Sequence, residues 1–403
     1  MRWVLVFGAT NGKQPPARIM YLYVLEDYGK MIKDRIRTSA YQQALAHAIK
    51  PGDVVVDLGA GTGLFTLHAC RLGAKLVHAI EPNPIIQVAR EIVQANGFSD
   101  RVAFHQAKSF DVEIPQLADI IVTDPRGVIP LANRAIPTII DARRRLLKPG
   151  GVLIAQRDTI WAALVEANET YSTLYEDPWR RSNDGFNMEP ARQRSINTVG
   201  TQRFKRRQLL SAPVPWATLD YRTLETTSVH GTAEFEVLRQ GSADGFTLWF
   251  DSELIDSVNF SNAPGKPKLI YGQLFFPMQE PLPVSPKQLI TVDVRANLIG
   301  DDYVWQWTTL ANDPTASEKT IRYHQSTFFN NVCSVQELEK RSDTYLPLLN
   351  REGLIYKRAL DLMHSGQRLG QIAKAISEEF PQRFGTAEEA LAFVGDLSAR
   401  WSE

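Results

Sequence analysis

Asp53-Val54-Val55-Val56-Asp57-Leu58 runs straight into Gly59-Ala60-Gly61-Thr62-Gly63, and the reading of this stretch decides the fold. The first half is short, apolar and β-branched, the pattern of a parallel strand buried on both faces. Leu64-Phe65-Thr66-Leu67-His68-Ala69-Cys70 follows as a helix. Glycines at a strand-to-helix turn let the backbone approach a ligand where a Cβ would collide.

Downstream, Leu76-Val77-His78-Ala79-Ile80 reads as a second strand ending at Glu81, about two dozen residues after Asp57. An acid at that point accepts both hydroxyls of a ribose, as an adenosine cofactor requires. A helix from Ile85 to Asn96, a strand Val102-Ala103-Phe104-His105 and a buried strand Asp119-Ile120-Ile121-Val122-Thr123 closing on Asp124 come next. A helix ends across Arg143 to Leu147, Lys148-Pro149-Gly150-Gly151 turns, and Val152-Leu153-Ile154-Ala155 is a further strand. Such βα alternation predicts an α/β, Rossmann-like, doubly wound parallel sheet.

The chain has 403 residues, too many for one compact core, so two or three domains are expected. Lys plus Arg and Asp plus Glu are equal at 45 each, which leaves no global field to recruit nucleic acid or an acidic membrane. Cys70 and Cys333 are the only cysteines and lack metal-ligand spacing, so neither a disulfide framework nor a metal site is expected, and a cytoplasmic setting fits. No apolar run reaches the ~18 residues of a membrane span. Val4-Leu5-Val6-Phe7-Gly8-Ala9-Thr10-Asn11-Gly12 imitates a phosphate loop, but Lys13-Gln14-Pro15-Pro16 follows, and paired prolines block the helix such a loop requires. Residues 1–20 are therefore read as a leader or a short strand.

The order D-x-G-x-G-x-G from Asp57 to Gly63, with its acid ahead of the first glycine, resembles the class I methyltransferase signature. Upstream lies Tyr28-Gly29-Lys30-Met31-Ile32-Lys33-Asp34-Arg35-Ile36-Arg37-Thr38-Ser39-Ala40-Tyr41. At helical spacing Met31, Asp34 and Arg37 share a face; Arg37 then either grips a carboxylate with its planar fork or is an exposed helix arginine. The stretch resembles the cofactor-covering helix of the protein arginine methyltransferases. That resemblance implies S-adenosylmethionine as cofactor, with Met31 near the sulfonium, Arg37 on the methionine carboxylate, and Asp57, Gly59, Gly61 and Gly63 as the glycine loop. It also implies Glu81 on the ribose, Pro82, Lys108 and Ser109 as further cofactor contacts, and Tyr28 standing where many members have histidine.

The resemblance spans roughly residues 20 to 310. After Arg157-Asp158-Thr159 the pattern becomes strand after strand: Ala233 to Leu238, Phe246 to Phe250, Ile270 to Phe276, Leu289 to Arg295 and Tyr303 to Thr309. The expected organisation is a cofactor domain over 21–158, a β-barrel over 159–330, and a C-terminal helical module over 345–403. The family carries a dimerisation arm early in its barrel, and residues near 180–207, with Gly185-Phe186-Asn187-Met188, are read as that arm, implying a homodimer. Eight Arg or Lys against two acids in 180–207 make it a basic patch or a solvated arm. The helices of the C-terminal module, Leu354 to Met363, Leu369 to Ile376 and Ala387 to Leu397, resemble the small winged-helix fold of peptide-binding chaperones. Partner binding and simple docking both stand for it. Lys374 is the one base-reaching cation of its second helix, which argues against DNA binding.

Arginine methylation in this family uses two glutamates that hold the guanidinium by paired charge-assisted hydrogen bonds. Here Asp124 stands at the first position and Asn133 at the second, and both are candidate catalytic residues with Tyr28. Arg126 and Arg134 add positive charge, and two cations a few ångströms apart repel by on the order of several kcal/mol. The family's Thr-His-Trp loop is missing, with Val304-Trp305-Gln306-Trp307-Thr308 as the expected counterpart, and Phe110 falls where a glutamate often meets the adenine amine. Asp124 either positions a nucleophile or caps the turn before Pro125. The expected function is methyl transfer to a nitrogen or oxygen nucleophile of a peptide or protein; a small-molecule acceptor and a non-enzymatic cofactor-binding scaffold are the alternatives.

Overall fold

The structure is a computed structural model, and it describes residues 24–312, 320–332 and 334–402. The leader expected over residues 1–20, the Gly8 to Gly12 stretch within it, and Cys333 lie outside the described residues.

Two helices, α1 (Leu25–Lys33) and α2 (Arg35–Ala48), open the described chain. The spacing of Met31, Asp34 and Arg37 predicts one helix, but the chain breaks at Asp34. Its carboxylate accepts the Arg37 backbone N–H at 3.2 Å and caps α2, a role a short acidic side chain fills well. Met31 thus ends up on α1 and Arg37 on α2.

The parallel sheet is built from β1 (Val54–Leu58), α3 (Leu64–Arg71), β2 (Leu76–Ile80), α4 (Ile86–Ala95), β3 (Val102–His105), β4 (Ala118–Thr123), α5 (Ala135–Arg145) and β5 (Leu147–Ile154). Strand order is β3-β2-β1-β4-β5, and every pairing is parallel. All of β1 is buried, as its continuous apolar run requires. The order reverses between β1 and β4, where Leu58 lies opposite Thr123. Gly59 and Asp124 therefore leave the sheet side by side, at the switch point where ligands of such sheets bind. The Lys148-Pro149-Gly150-Gly151 turn is absorbed into β5, with Gly150 at φ +77°.

The antiparallel part begins with β6 (Arg157–Val165), followed by α6 (Asn168–Tyr171), a π-helical stretch Ser172–Arg181, α7 (Glu189–Ser195) and β7 (Gly200–Gln202). Then come β8 (Val214–Asp220), β9 (Val229–Glu236), β10 (Gly241–Ile255), β11 (Val258–Ser261), β12 (Gln273–Val284), β13 (Leu289–Ile299), β14 (Asp302–Asn312) and β15 (Thr320–Ser326). They form two sheets, β7-β12-β10-β6-β8 with β11 on β10, and β15-β14-β13-β9. The Ser211–Val237 bridge joins their edges. Phe246 and Phe276 stack with centroids 4.6 Å apart, and Trp305 and Trp307 meet Phe276 edge-on, filling the core between the sheets.

Three expectations change here. The strand expected from Ile270 starts only at Gln273, leaving Leu269 to Gly272 as a loop. The Val304 to Thr308 stretch, expected as part of a strand from Tyr303 to Thr309 and also as the counterpart of the family's loop, is the middle of β14 and not a loop; Trp307 is buried and donates to the Pro277 carbonyl and Gln325. The 180–207 stretch is not uniformly an open basic patch: Arg203, Lys205, Arg206 and Arg207 are exposed, but the earlier Arg180 and Arg192 are engaged by acids. Arg192 is fully buried, paired with Glu176, Glu189 and Glu280, and Arg180 shares those three acids.

A second compact unit spans Val332–Glu403, beginning ahead of the expected residue 345. It holds α8 (Val335–Glu339), α9 (Arg351–His364), α10 (Leu369–Glu379) and α11 (Ala387–Trp401), and Ile355, Leu362, Ile372, Ile376 and Val394 pack its core. Among its described residues there is no strand, so the wing of a winged helix is not there. No helix among the described residues is long and apolar enough to cross a membrane.

Candidate active site

The glycine loop leaves the tip of β1 braced by Asp57. Its Oδ2 accepts the N–H and the hydroxyl of Thr66 at 2.8 and 2.7 Å, tying the loop to the first turn of α3. Its Oδ1 is buried with no partner among the described residues. Burial pushes the Asp57 carboxyl up to about 6, against the two Thr66 hydrogen bonds. Gly61 sits at φ +54°, and a Cβ there would stand 2.8 Å from Cε1 of Tyr28, so the Tyr28 ring lies directly over the loop. Gly63 caps α3 at φ +82°, close against Ala89, while Gly59 turns at φ +81°.

Glu81 stands at the end of β2, as its spacing predicts. Its Oε2 accepts the Gly61 N–H at 3.1 Å and its Oε1 accepts from the backbone and side chain of Asn83. A carboxylate offers about four lone-pair positions, so capacity remains for a ribose hydroxyl. Pro82 and Lys108 are exposed beside it in sequence and along the next strand end. Ser109 is buried with an unpartnered hydroxyl, and its carbonyl accepts from Arg145 at 2.7 Å. Phe110 lies exposed under the Arg134 guanidinium.

Asp124 and Arg37 are the residues the fold brings together most tightly. Arg37 Nε lies 2.5 Å from Asp124 Oδ2, which also accepts the Tyr271 hydroxyl at 2.6 Å. Arg126 Nη1 reaches Asp124 Oδ1 at 2.8 Å. Burial works to raise the Asp124 carboxyl, but the two guanidinium groups and the Tyr271 hydrogen bond hold it below the usual carboxylate range. The reading of Asp124 as a cap before Pro125 thus gives way to a buried ion cluster. Arg37 also lies over the Tyr41 and Phe65 rings, so the exposed-helix alternative is excluded for it.

Behind Asp124, Arg126 donates Nε and Nη2 to Asp158 at 2.7 and 3.1 Å, Nη2 to Ser252 at 2.9 Å and Nη1 to Tyr41 at 2.6 Å. Tyr221 donates to Asp158 at 2.6 Å. Asn133 is not part of this cluster: it is exposed, at φ +47°, in the turn before α5. As a left-handed turn residue it serves the backbone, for which asparagine is suited.

Sequence reasoning missed Tyr271, Tyr41, Asp158, Tyr221 and Ser252. The segment that meets the cofactor helix is Leu269-Ile270-Tyr271: the Ile270 N–H donates to Asp34 Oδ2 at 2.6 Å, and Arg203 holds the Leu269 and Ile270 carbonyls. The signal available for it was the interrupted strand pattern ahead of Gly272.

Residues 37–180 match the family described as ribosomal protein L11 methyltransferase, and residues 156–308 match the arginine methyltransferase oligomerization subdomain. A probable protein arginine N-methyltransferase 6.1 of Oryza sativa subsp. indica is 30% identical over 310 residues, covering 73% of this chain and 74% of that protein. The chain belongs to the protein arginine methyltransferase family. Probable protein arginine N-methyltransferase 6 of Arabidopsis thaliana is 32% identical over 232 residues, which is 56% of this chain and about half, 53%, of that relative. The arginine methyltransferase fold recurs in the Trypanosoma brucei PRMT1 enzyme-prozyme complex with AdoHcy, at TM-score 0.68 and 20% identity, covering 74% of this chain and 96% of that one. Arabidopsis thaliana protein arginine methyltransferase 10 aligns at TM-score 0.66 and 20% identity, over 75% and 98%. As an arginine methyltransferase family member the chain is an S-adenosylmethionine-dependent methyltransferase, and its residues fit that cofactor. The fit rests on the unpartnered Asp57 Oδ1 and Ser109 hydroxyl, the glycine loop at the tip of β1 and the one lone-pair position left on Glu81 at the end of β2.

Proposed function

We propose that the chain transfers the methyl group of S-adenosylmethionine to a side-chain nitrogen or oxygen of a peptide or protein, arginine being the acceptor that its relatives' names carry. The observation that carries this reading is the contact of Arg37 with Asp124 at the β1–β4 switch point. One residue thereby links the place of the cofactor carboxylate to the place of the acceptor. The cofactor supplies an electrophilic methyl on sulfur. The protein's part is to orient it: Arg37 holds the carboxylate, Glu81 the ribose, Met31 and Tyr28 cover the loop, and Pro82, Lys108 and Ser109 border the adenine side. Asp124 aligns an acceptor lone pair with the methyl, which is chiefly positioning.

The match of residues 156–308 to an oligomerization subdomain supports a homodimer. A cytoplasmic location is part of the same proposal.

Glu81→Ala tests the cofactor half: adenosylhomocysteine affinity falls by about 1.5–3 kcal/mol, the worth of hydrogen bonds to a charged group, and unchanged affinity would sink the ribose assignment. Mass spectrometry after incubation with labelled cofactor and a lysate tests the other half. Labelled protein supports the reading, a labelled metabolite makes the acceptor a small molecule, and binding without transfer leaves a scaffold.

A further inference from the structure

Arg126 engages all five of its N–H donors: two on Asp158, one each on Ser252, Tyr41 and Asp124. It is only 7% exposed and lies over the Phe250 and Phe260 rings. An arginine satisfied on every nitrogen, with a bidentate acid of its own, is a fixed part of the site. Arg37 differs: Nε goes to Asp124 and Tyr271, Nη1 reaches the Met31 carbonyl at 3.5 Å, and Nη2 has no partner among the described residues. Arg37 therefore offers Nη2 to a carboxylate without leaving Asp124.

Of the roughly four lone-pair positions on Asp124, Arg37 and Tyr271 occupy Oδ2 and Arg126 occupies one on Oδ1. One position on Oδ1 remains. A guanidinium held through two parallel N–H···O bonds needs both oxygens, and it brings a third cation to an acid already shared by two. An acceptor with one N–H donor, no charge and a separate lone pair needs neither. Among side chains the neutral imidazole meets all three conditions. An amide nitrogen has its lone pair drawn into the carbonyl, a lysine ammonium has none at neutral pH, and a hydroxyl needs a base that an ion-paired Asp124 does not provide.

We propose that the acceptor range of this enzyme extends to the histidine imidazole of a peptide or protein, and that Arg126 biases the site this way, because it is the second cation on Asp124 and, together with Arg37 and Tyr271, leaves that carboxylate one hydrogen-bond position. The proposal rests on the Asp124 acceptor site of the function proposed above. One ring nitrogen donates its N–H to Asp124, and the other attacks the methyl carbon. The N–CH3 bond forms as the C–S bond breaks, and the electron pair stays on sulfur to give adenosylhomocysteine. The methylimidazolium then releases its ring N–H proton to solvent.

The test uses the full chain, labelled S-adenosylmethionine, and two synthetic glycine-flanked peptides that differ only in one histidine or arginine. Tandem mass spectrometry locates the methyl group. Wild type is expected to methylate the histidine peptide, with kcat/KM falling as pH drops through about 6.5, where imidazole protonates. Arg126→Leu removes one of the two cations on Asp124, so that a substrate guanidinium is the second and no longer the third, and should raise the arginine-to-histidine ratio of kcat/KM by about tenfold, the worth of one hydrogen bond to a charged group. Because Arg126→Leu strands Asp158, Arg126→Leu with Asp158→Asn is measured beside it and should shift the ratio alike. An arginine peptide methylated without the histidine peptide overturns this proposal and leaves the proposed function standing, and a ratio unmoved in a variant that transfers methyl overturns the role of Arg126. Adenosylhomocysteine binding with no transfer to either peptide in any variant overturns the proposed function and this proposal together.

Discussion

The Arg37 guanidinium and the Asp124 carboxylate, 87 residues apart in the chain, form a buried ion pair with Nε 2.5 Å from Oδ2. It joins α2, the helix that follows the Asp34 break, to the end of the central strand β4. Tyr271 closes the pair from the antiparallel side, donating to the same oxygen. Three separate parts of the chain thus agree on the position of one carboxylate.

Arg37→Ala should weaken adenosylhomocysteine by about 1.5–3 kcal/mol, or roughly ten- to a hundredfold. Methylthioadenosine, which has the nucleoside but no carboxylate, should bind the variant and wild type alike. Calorimetry with both ligands separates the carboxylate contact from general damage; equal losses would refute it.

The pH dependence of stability carries a signature of Asp57. Its folded carboxyl is pushed up to about 6, above its unfolded range, so the folded state holds a proton that the unfolded state has lost. The stability this brings is present below about pH 4 and is lost as pH rises through about 6, by on the order of 2–3 kcal/mol. Thermal unfolding of the cofactor-free protein between pH 4 and 7 should show this decline, and Asp57→Asn should flatten it. A decline of the same size in the variant would assign the effect elsewhere.

Gly61→Ala places a methyl where the Tyr28 ring lies, in a left-handed backbone that alanine adopts poorly. The ring must move, and cofactor affinity should drop by about tenfold or more while the fold persists. Gly61→Ala combined with Tyr28→Ala relieves the clash but not the backbone strain, so partial recovery is expected in equilibrium binding. No difference between the single and double variants would mean that Tyr28 does not cover the loop.

Arg192→Leu removes the cation from among Glu176, Glu189 and Glu280. A fully buried pair would cost about 3–5 kcal/mol. Glu189 and Glu280 are each more than a third exposed, so solvent screening reduces the expected loss to on the order of 2 kcal/mol. Urea unfolding measures the loss, and hydrogen exchange should place it in residues 168–198.

What was legible in the sequence was local. Val54 to Gly63 carries its burial pattern, its turn and its glycines within one short stretch, and Glu81 follows at a fixed spacing because strand lengths in a parallel sheet are alike. Asp158, Tyr221 and Ser252 were illegible because they gain meaning only when β6, β8 and β10 bring them to Arg126, up to 126 residues away. Asn133 misled for the opposite reason, since its position in the motif suited a clamp while its backbone serves a turn. The break at Asp34 was hidden because an aspartate that caps one helix fits equally well inside the periodicity of a longer one.

That break has a kinetic consequence. α1 buries none of its residues, while Asp34 is tethered to the Ile270 backbone and α2 is anchored in the core by Tyr41, Ala44 and Leu45. Segments with few buried contacts open at small free-energy cost, so α1 is expected to open locally well before α2, without the large sheets having to part. Amides of residues 25–33 should exchange far faster than those of 35–48, and adenosylhomocysteine should slow the first group and leave the second nearly unchanged.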